Sequence, residues 1–566
     1  MEAANNNDIN TVPAAFKNDL SNTTLRDIRL STDLVEEQRS TFQIDLQYDL
    51  NLSKQLNGYI KVGGKYRSVN RARDISQQFM RPYLDGNENP ASSSPDQFLL
   101  KEGTTQILLA NFLDGYRNDD FFEGAYDLHP GDETSRRITL PLDGIDLESF
   151  NALFGTNYLS SDVVRYGTHI DLEKLNRFQE FYSDRYQPNF EVDLEDYDAN
   201  EDILAAYVMA ELNVGKWLML MGGVRFEDTR QEYSSRTGSP LEEDEGGSGF
   251  IELIDVSAAQ GYAELLPMAH IRIKPKEWVD LRLAVTRTLA RPNFFNLVPW
   301  ERIDNAEQEI SRGKPDLKHT TAWNYDAFLS FYNRFGLFTI GGFYKELENI
   351  DYLRTSSILD GSIFNGYTLN EPANVDGTST VLGVELDLQA NLRALNGFWK
   401  GLVLGANLTL AESETFYPVF DISSEFIPEP PFFITTVIDT VRSGPIVGQA
   451  DIIANFSLGY EVGGFSGRIS AIHQSKTLSP GNPGVGRTGS GIQRIPELDF
   501  FDDQFWRFDL ALKQKLDKQG AWTLLFNVNN LTNTPERALQ GTARLIQEEE
   551  FFGFTAELGV LYKFKK

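Results

Sequence analysis

The chain has 566 residues, a formal charge of −30 and a pI near 4.6, a balance that argues against nucleic-acid binding, which needs a basic face for phosphate. With no cysteine, disulfide frameworks, thiol catalysis and iron–sulfur clusters are excluded, and the scattered histidines His129, His169, His270, His319 and His473 offer no i, i+4 pair for a helical metal site. No run reaches the roughly 18 apolar residues of a membrane helix, and the start MEAANNNDIN lacks the basic and apolar regions of a signal peptide.

In chain order, strands are expected at 22–34, 40–52, 57–70, 200–213, 216–232, 258–273, 277–290, 321–332 and 336–348. Others follow at 379–394, 398–415, 447–461, 464–477, 501–516, 520–534 and 551–564, about sixteen in all. Strict alternation marks them. In 380–392, Leu382, Val384, Leu386, Leu388, Ala390 and Leu392 share one face, and Glu385, Asp387, Gln389 and Asn391 the other. In 506–513, Trp506, Phe508, Leu510 and Leu512 oppose Arg507, Asp509 and Lys513. A soluble sheet explains one or two such segments. Many strands of about ten residues, with aromatics at the ends of the apolar face, fit tilted strands crossing a bilayer.

The connections alternate as well. Short ones such as 213–216, 332–336 and 461–464 interleave with long ones at 71–199, 235–250, 291–320, 349–378, 417–446, 478–499 and 536–550. Tight turns on one side and long loops on the other are the pattern of an outer-membrane barrel, and the long loops carry most of the acidic excess. The fold class expected is therefore all-β: a transmembrane antiparallel β-barrel. In 281-LRLAVTRTLARP-292, Arg287 and Arg291 share the parity of Leu281, Leu283 and Val285. At roughly 2.5 Å of climb per residue, Arg287 stands about 20 Å above Val279, near the top of the apolar band. Arg287 and Arg291 are thus expected to mark the outer boundary of the membrane, Arg287 snorkelling to headgroup phosphates and Arg291 lying beyond the bilayer. A bulge turning Arg287 inward is the alternative.

Several stretches resemble TonB-dependent outer-membrane receptors: 203-ILAAYVMAELNVGKWLMLMGGVRFEDT-229, 262-YAELLPMAHIRI-273, 286-TRTLARPNF-294, 313-GKPDLKHTTAWNYDAFLSFY-332, 524-LLFNVNNLTNTP-535 and the closing Tyr562-Lys563-Phe564. The resemblance implies a 22-stranded barrel with a plugged lumen, of which these strands would be the last sixteen. On that reading 1–566 is a partial receptor barrel domain, 71–199 its long extracellular loop region, and no plug, energy-coupling box or signal peptide is recognisable. The resemblance further implies residence in the outer membrane of a Gram-negative bacterium, among outer-membrane lipid and lipopolysaccharide. It implies energy coupling to TonB–ExbB–ExbD through the missing plug, and delivery to the barrel assembly machinery through Tyr562 and Phe564. The inward polar residues Arg225, Glu227, Glu385, Asp387, Asn407, Arg507, Asp509, Asn527 and Glu557 would face plug or water.

No catalytic, cofactor or metal site is expected. The match 484-GVGRTG-489 to G-x-G-x-x-G sits in a Pro/Gly-rich loop, not in the βαβ unit that a dinucleotide requires. Aromatics clustered in loops, Phe121, Phe122, Tyr126, Phe416, Tyr417, Phe432 and Phe433, are the candidate ligand contacts, for stacking on a small molecule or an oligosaccharide. The leading expectation is uptake of a scarce nutrient, with a passive porin-like channel as the alternative from another class.

Overall fold

The computed structural model describes residues 28–80, 106–107, 137–138, 186–189, 192–240, 251–304, 308–358, 362, 364–426, 428, 433–479, 486–488, 491–493, 499–517, 520–541 and 545–564. The chain divides into two compact units. The smaller comprises Met1–Val35, Arg73–Asp196 and Gly238–Leu253; in it Arg73 bridges Asp33 at 2.9 Å and Glu195 at 3.1 Å, and the Asp196 carboxylate accepts from the Ile75 amide.

The larger unit, Glu36–Ala72, Tyr197–Thr237 and Ile254–Lys566, is organised by one antiparallel wall. Its strands, some continuing past the unit's bounds, are β1 (Ile28–Ser53), β2 (Leu56–Met80), β3 (Tyr197–Val214), β4 (Leu218–Pro240) and β5 (Ile251–Lys276). Then come β6 (Val279–Ala290), β7 (Thr320–Asn333), β8 (Gly336–Glu348), β9 (Thr378–Asn391) and β10 (Leu402–Phe426). The wall ends with β11 (Ile452–Val462), β12 (Phe465–Gln474), β13 (Phe505–Lys515), β14 (Trp522–Asn529) and β15 (Thr555–Tyr562). Each pairs with the next in this order. Of the expected segments 22–34 and 40–52, the described residues from Ile28 onward form one strand, β1. Glu36, Glu37 and Arg39 break the apolar alternation there without breaking the strand.

Register puts the apolar residues of neighbouring strands in common rows, because directly paired residues share a face. Val384 pairs with Gly342 and Leu410, Leu386 with Ile340 and Leu408, and Leu388 with Phe338 and Ala406. The row continues through Phe456, Leu458 and Ile469 to Leu510, Leu512 and Phe526. Leu382, Val384, Leu388, Leu410, Phe456, Leu458 and Ile469 are all exposed, whereas the opposite parity carries Glu385, Asp387, Asn407 and Asp509. A wall whose outer face is apolar and exposed has its hydrophobic solvent outside. Exposed Trp217, Trp278, Trp399 and Trp522 stand at the short-turn end, and Trp506 and Trp323 toward the long-loop end. These are two aromatic girdles bounding the belt, placed where an amphipathic ring meets both apolar and polar solvent.

Short turns join strands at one end: Lys54–Gln55, the two-residue Gly463–Gly464 link and Arg334–Phe335. Gly463 (φ 56°) and Gly464 (φ 94°) both occupy positive φ, which a two-residue hairpin of matching twist demands of its central residues. At the other end the long connections carry their own structure and bury two small cores. One gathers Tyr197, Ala199, Tyr233, Leu297, Val298 and Leu317; the other gathers Tyr352, Ala373, Val375, Tyr417 and Leu478.

Candidate functional site

Where β12 to β15 rise past the belt, their inward face and the loops above enclose a recess of about 810 Å³. Alternation aims Arg507 and Asp509 into it while Trp506 and Phe508 face out. The turn after β14 forms its floor through Asn530, which adopts φ 52°, a left-handed conformation that Asn tolerates. The Asn530 side-chain amide donates to the carbonyls of Thr534 (3.2 Å) and Gly553 (3.0 Å) and accepts from the Thr534 amide (2.9 Å). The Asn530 amide donates to Asp509 at 2.9 Å. A four-stranded loop sheet of Thr477–Leu478, Phe500–Asp502, Glu536–Gln540 and Leu545–Glu550 stands above, and Arg537 ties it together by pairing with Glu549 and, at 3.9 Å, with Asp503.

Asp502, Asp503, Asp509, Glu536, Glu548 and Glu550 line this recess against Arg507 and Arg537, with Phe505 and Phe552 as its aromatic surface. The excess of carboxylates makes it a negative concavity, receptive to neutral hydroxylated or cationic groups. Among the described residues, no group of three or more His, Asp or Glu is arranged to hold a metal ion.

Of the aromatic candidates, Phe121, Phe122, Tyr126 and Phe432 lie outside the described residues. Phe433 opens the strand Phe433–Gly444, opposite Phe426, its side chain outside the described set. Phe416 is half-buried. Tyr417 is 1% exposed. The Tyr417 hydroxyl donates to the Pro445 carbonyl at 2.7 Å and accepts from the Val447 amide at 3.1 Å, and its ring meets Tyr352 edge-on at 5.1 Å. That removes Tyr417 from the expected contact set: its aromatic surface serves the loop core.

The two arginines also sit differently from expectation. Arg291 turns inward, where it donates to Glu227 at 2.8 Å and Thr229 at 2.9 Å and lies 3.5 Å from Glu201. Beyond Ala290 the ladder no longer dictates side-chain direction, and buried Glu201 and Glu227 supply countercharge that the outside lacks. Arg287 keeps its outward place beside Trp323, but its guanidinium pairs with Glu264 at 2.8 Å and donates to the Leu265 carbonyl at 2.9 Å, so protein groups satisfy it. Sequence reasoning missed a second inward cluster near the short turns. The side chain of Asp280, 0% exposed, accepts from Arg272 at 2.6 Å and Arg282 at 3.0 Å, with Lys274 at 3.9 Å. The spacing R-x-K at 272–274 and D-x-R at 280–282 across one turn was the available signal.

An exposed apolar belt between aromatic girdles, a polar inner face and structured long loops at one end define the wall of a transmembrane β-barrel. The sequence profile described as "TonB dependent receptor-like, beta-barrel" matches residues 2–531, and the chain belongs to that family. Its fold is similar to that of the siderophore receptor PiuA from Acinetobacter baumannii (TM-score 0.50, 13% identity, covering 94% of this chain and 56% of that one). It is likewise similar to the ferric-catecholate import receptor Fiu from E. coli K12 (TM-score 0.50, 12% identity, 94% and 55%). The chain thus spans little more than half the length of these solved relatives. No curated protein matches it in sequence.

Proposed function

We propose that this chain forms the wall and ligand-facing end of an outer-membrane receptor for TonB-dependent, energy-coupled uptake of a scarce nutrient in a Gram-negative bacterium. The observation that carries the reading is the recess of about 810 Å³ at the long-loop end, opening on the inward face of a barrel wall of this family. A ligand captured there stands on the side from which it would pass inward. Energy from TonB–ExbB–ExbD would act through a plug, and Tyr562 and Phe564 would present the wall to the barrel assembly machinery. Lipid and lipopolysaccharide would surround the belt.

The lining favours ligands without negative charge. Six carboxylates face two guanidiniums, and one close like-charge contact costs about 4 kcal/mol at 4 Å and an effective dielectric of 20. A multivalent anion such as a ferric catecholate is therefore disfavoured, and a neutral polyhydroxylated ligand of oligosaccharide type, or a cationic one, is favoured. The test is uptake by cells carrying the receptor, with and without the proton-motive force. Uptake that persists unchanged after the force is collapsed, together with steady conductance in planar bilayers, would replace this reading with a passive channel.

A further inference from the structure

The β5–β6 ladder stops short. Its last register pair is Met268↔Thr286, although β5 begins at Ile251 and β6 continues to Ala290, above that level paired only with β7. Pro267 stands at the break and has no N–H to give. Arg287 fills the seam with a side chain: its guanidinium donates to the Leu265 carbonyl and pairs with Glu264. Glu264 is itself held by His319 at 2.9 Å, whose ring stacks on Tyr262 at 3.9 Å.

Two recesses meet here from opposite faces. The outer one, about 430 Å³, is lined by Leu265, Pro267, Trp323 and Glu346; the inner one, about 550 Å³, by Leu266 and Met268. Arg287 is the residue that lines both. Backbone hydrogen bonds cannot be withdrawn singly, but one long side chain can change rotamer and leave a gap. The seam lies at the top of the belt, just above exposed Val285 and Tyr325, which on the proposed outer-membrane reading is the level of lipid headgroups.

We infer that the seam between β5 and β6 is a lateral gate in the wall, latched by Arg287 and admitting a phosphate-headed amphiphile from the outer leaflet. The phosphate takes the place of Glu264 on the guanidinium, which accepts planar bidentate partners of either kind. Glu264 retains His319. The acyl chain follows between Leu265 and Pro267 toward Leu266 and Met268.

The chain has no cysteine, so one introduced thiol is unique. The full chain carrying Met268→Cys is placed in vesicles of phosphatidylethanolamine and phosphatidylglycerol doped with a phospholipid bearing maleimide on its headgroup. Labelling is expected to be slow with Arg287 intact and about ten-fold faster with Arg287→Ala, the scale of losing a charged hydrogen bond, with Arg287→Lys between. Dodecyl phosphate should speed labelling of the Arg287-intact chain, and dodecyl maltoside should not. Two controls separate failures. Leu382→Cys, on the outer belt, must label in every case, or the membrane placement on which the inference rests is wrong. Thr339→Cys, on the inner face behind the continuous β7–β8–β9 ladders, must stay slow with Arg287→Ala, or the wall has merely loosened. No acceleration at Met268→Cys on removing Arg287, or equal acceleration by both detergents, overturns the gate.

Discussion

Strand β10 passes through two regions built on opposite rules. From Leu402 to Leu410 its apolar residues point outward, and Leu410 is 43% exposed; seven residues on, Tyr417 is 1% exposed in a core with Tyr352 and Leu478. Nothing in the backbone changes, since the ladders to β9 and then to Phe433–Gly444 run on without a bulge. What changes is the solvent. At belt level an apolar group is already in hydrocarbon when it faces out, so the wall needs no apolar interior and carries Glu385, Asp387 and Asn407 on its inner face. Above the belt water bathes both faces, and apolar side chains contribute only by packing together.

The largest effect should come from a cavity in the watery region. Leu297 is 0% exposed and packs with Tyr197, Tyr233 and Val298. Leu297→Ala should destabilise that end by about 2–5 kcal/mol, the transfer loss plus the void. Limited proteolysis should then cut between 291 and 320 while heat-modifiable migration of the wall persists. Simultaneous loss of both would mean that the two regions unfold as one. Next in size is polarity at belt level: Val384→Arg should cost about 2–4 kcal/mol, as for a cation facing lipid near the midplane. Urea titration in vesicles would register it, and an unaltered midpoint would place Val384 outside the membrane.

Alkali should separate the regions again. Burial pushes the Tyr417 hydroxyl up to about 12 and raises Tyr352 as well. Each phenol is held neutral in the fold. The contribution of Tyr417 is therefore complete below pH 10, its unfolded value, and is lost as pH rises from about 10 through about 12. The long-loop end should open in that window, read as protease sensitivity, and Tyr417→Phe should blunt the loss. The same opening with Tyr417→Phe would assign it to other groups.

These contrasts also explain what the sequence revealed. Alternation at 380–392 gave β9 and its faces directly, because a period of two with lipid on one side leaves no other register. The charged run Glu36–Arg39 suggested a break in β1 because a polar outward residue looks wrong at belt level, yet above the belt it is ordinary. Parity carried Arg287 to its row beside Trp323 but did not show its guanidinium turning into a seam that Pro267 opens on another strand. For Arg291, parity failed one residue past the end of β6, where local charge decides direction. Tyr417 was ambiguous in principle, since an aromatic in a loop suits a ligand and a small core equally. The carboxylates of the recess come from two connections and from β13 itself, and only folding brings them together.

The smallest effect is the most discriminating, because it uses the same belt position with size in place of charge. Val384→Ala removes two methyl groups from a side chain that faces outward. The transfer loss is about 1.5 kcal/mol, and no cavity penalty accompanies it, because fluid acyl chains move into the vacated volume where packed protein would leave a hole. The expected shift is thus below that of Leu297→Ala. Membrane thickness supplies the control: Val384→Ala should cost the same in vesicles of longer acyl chains, since position 384 stays within hydrocarbon in both. A cost rising to the 2–5 kcal/mol range of a packed core would mean that protein, not lipid, covers this face of the wall.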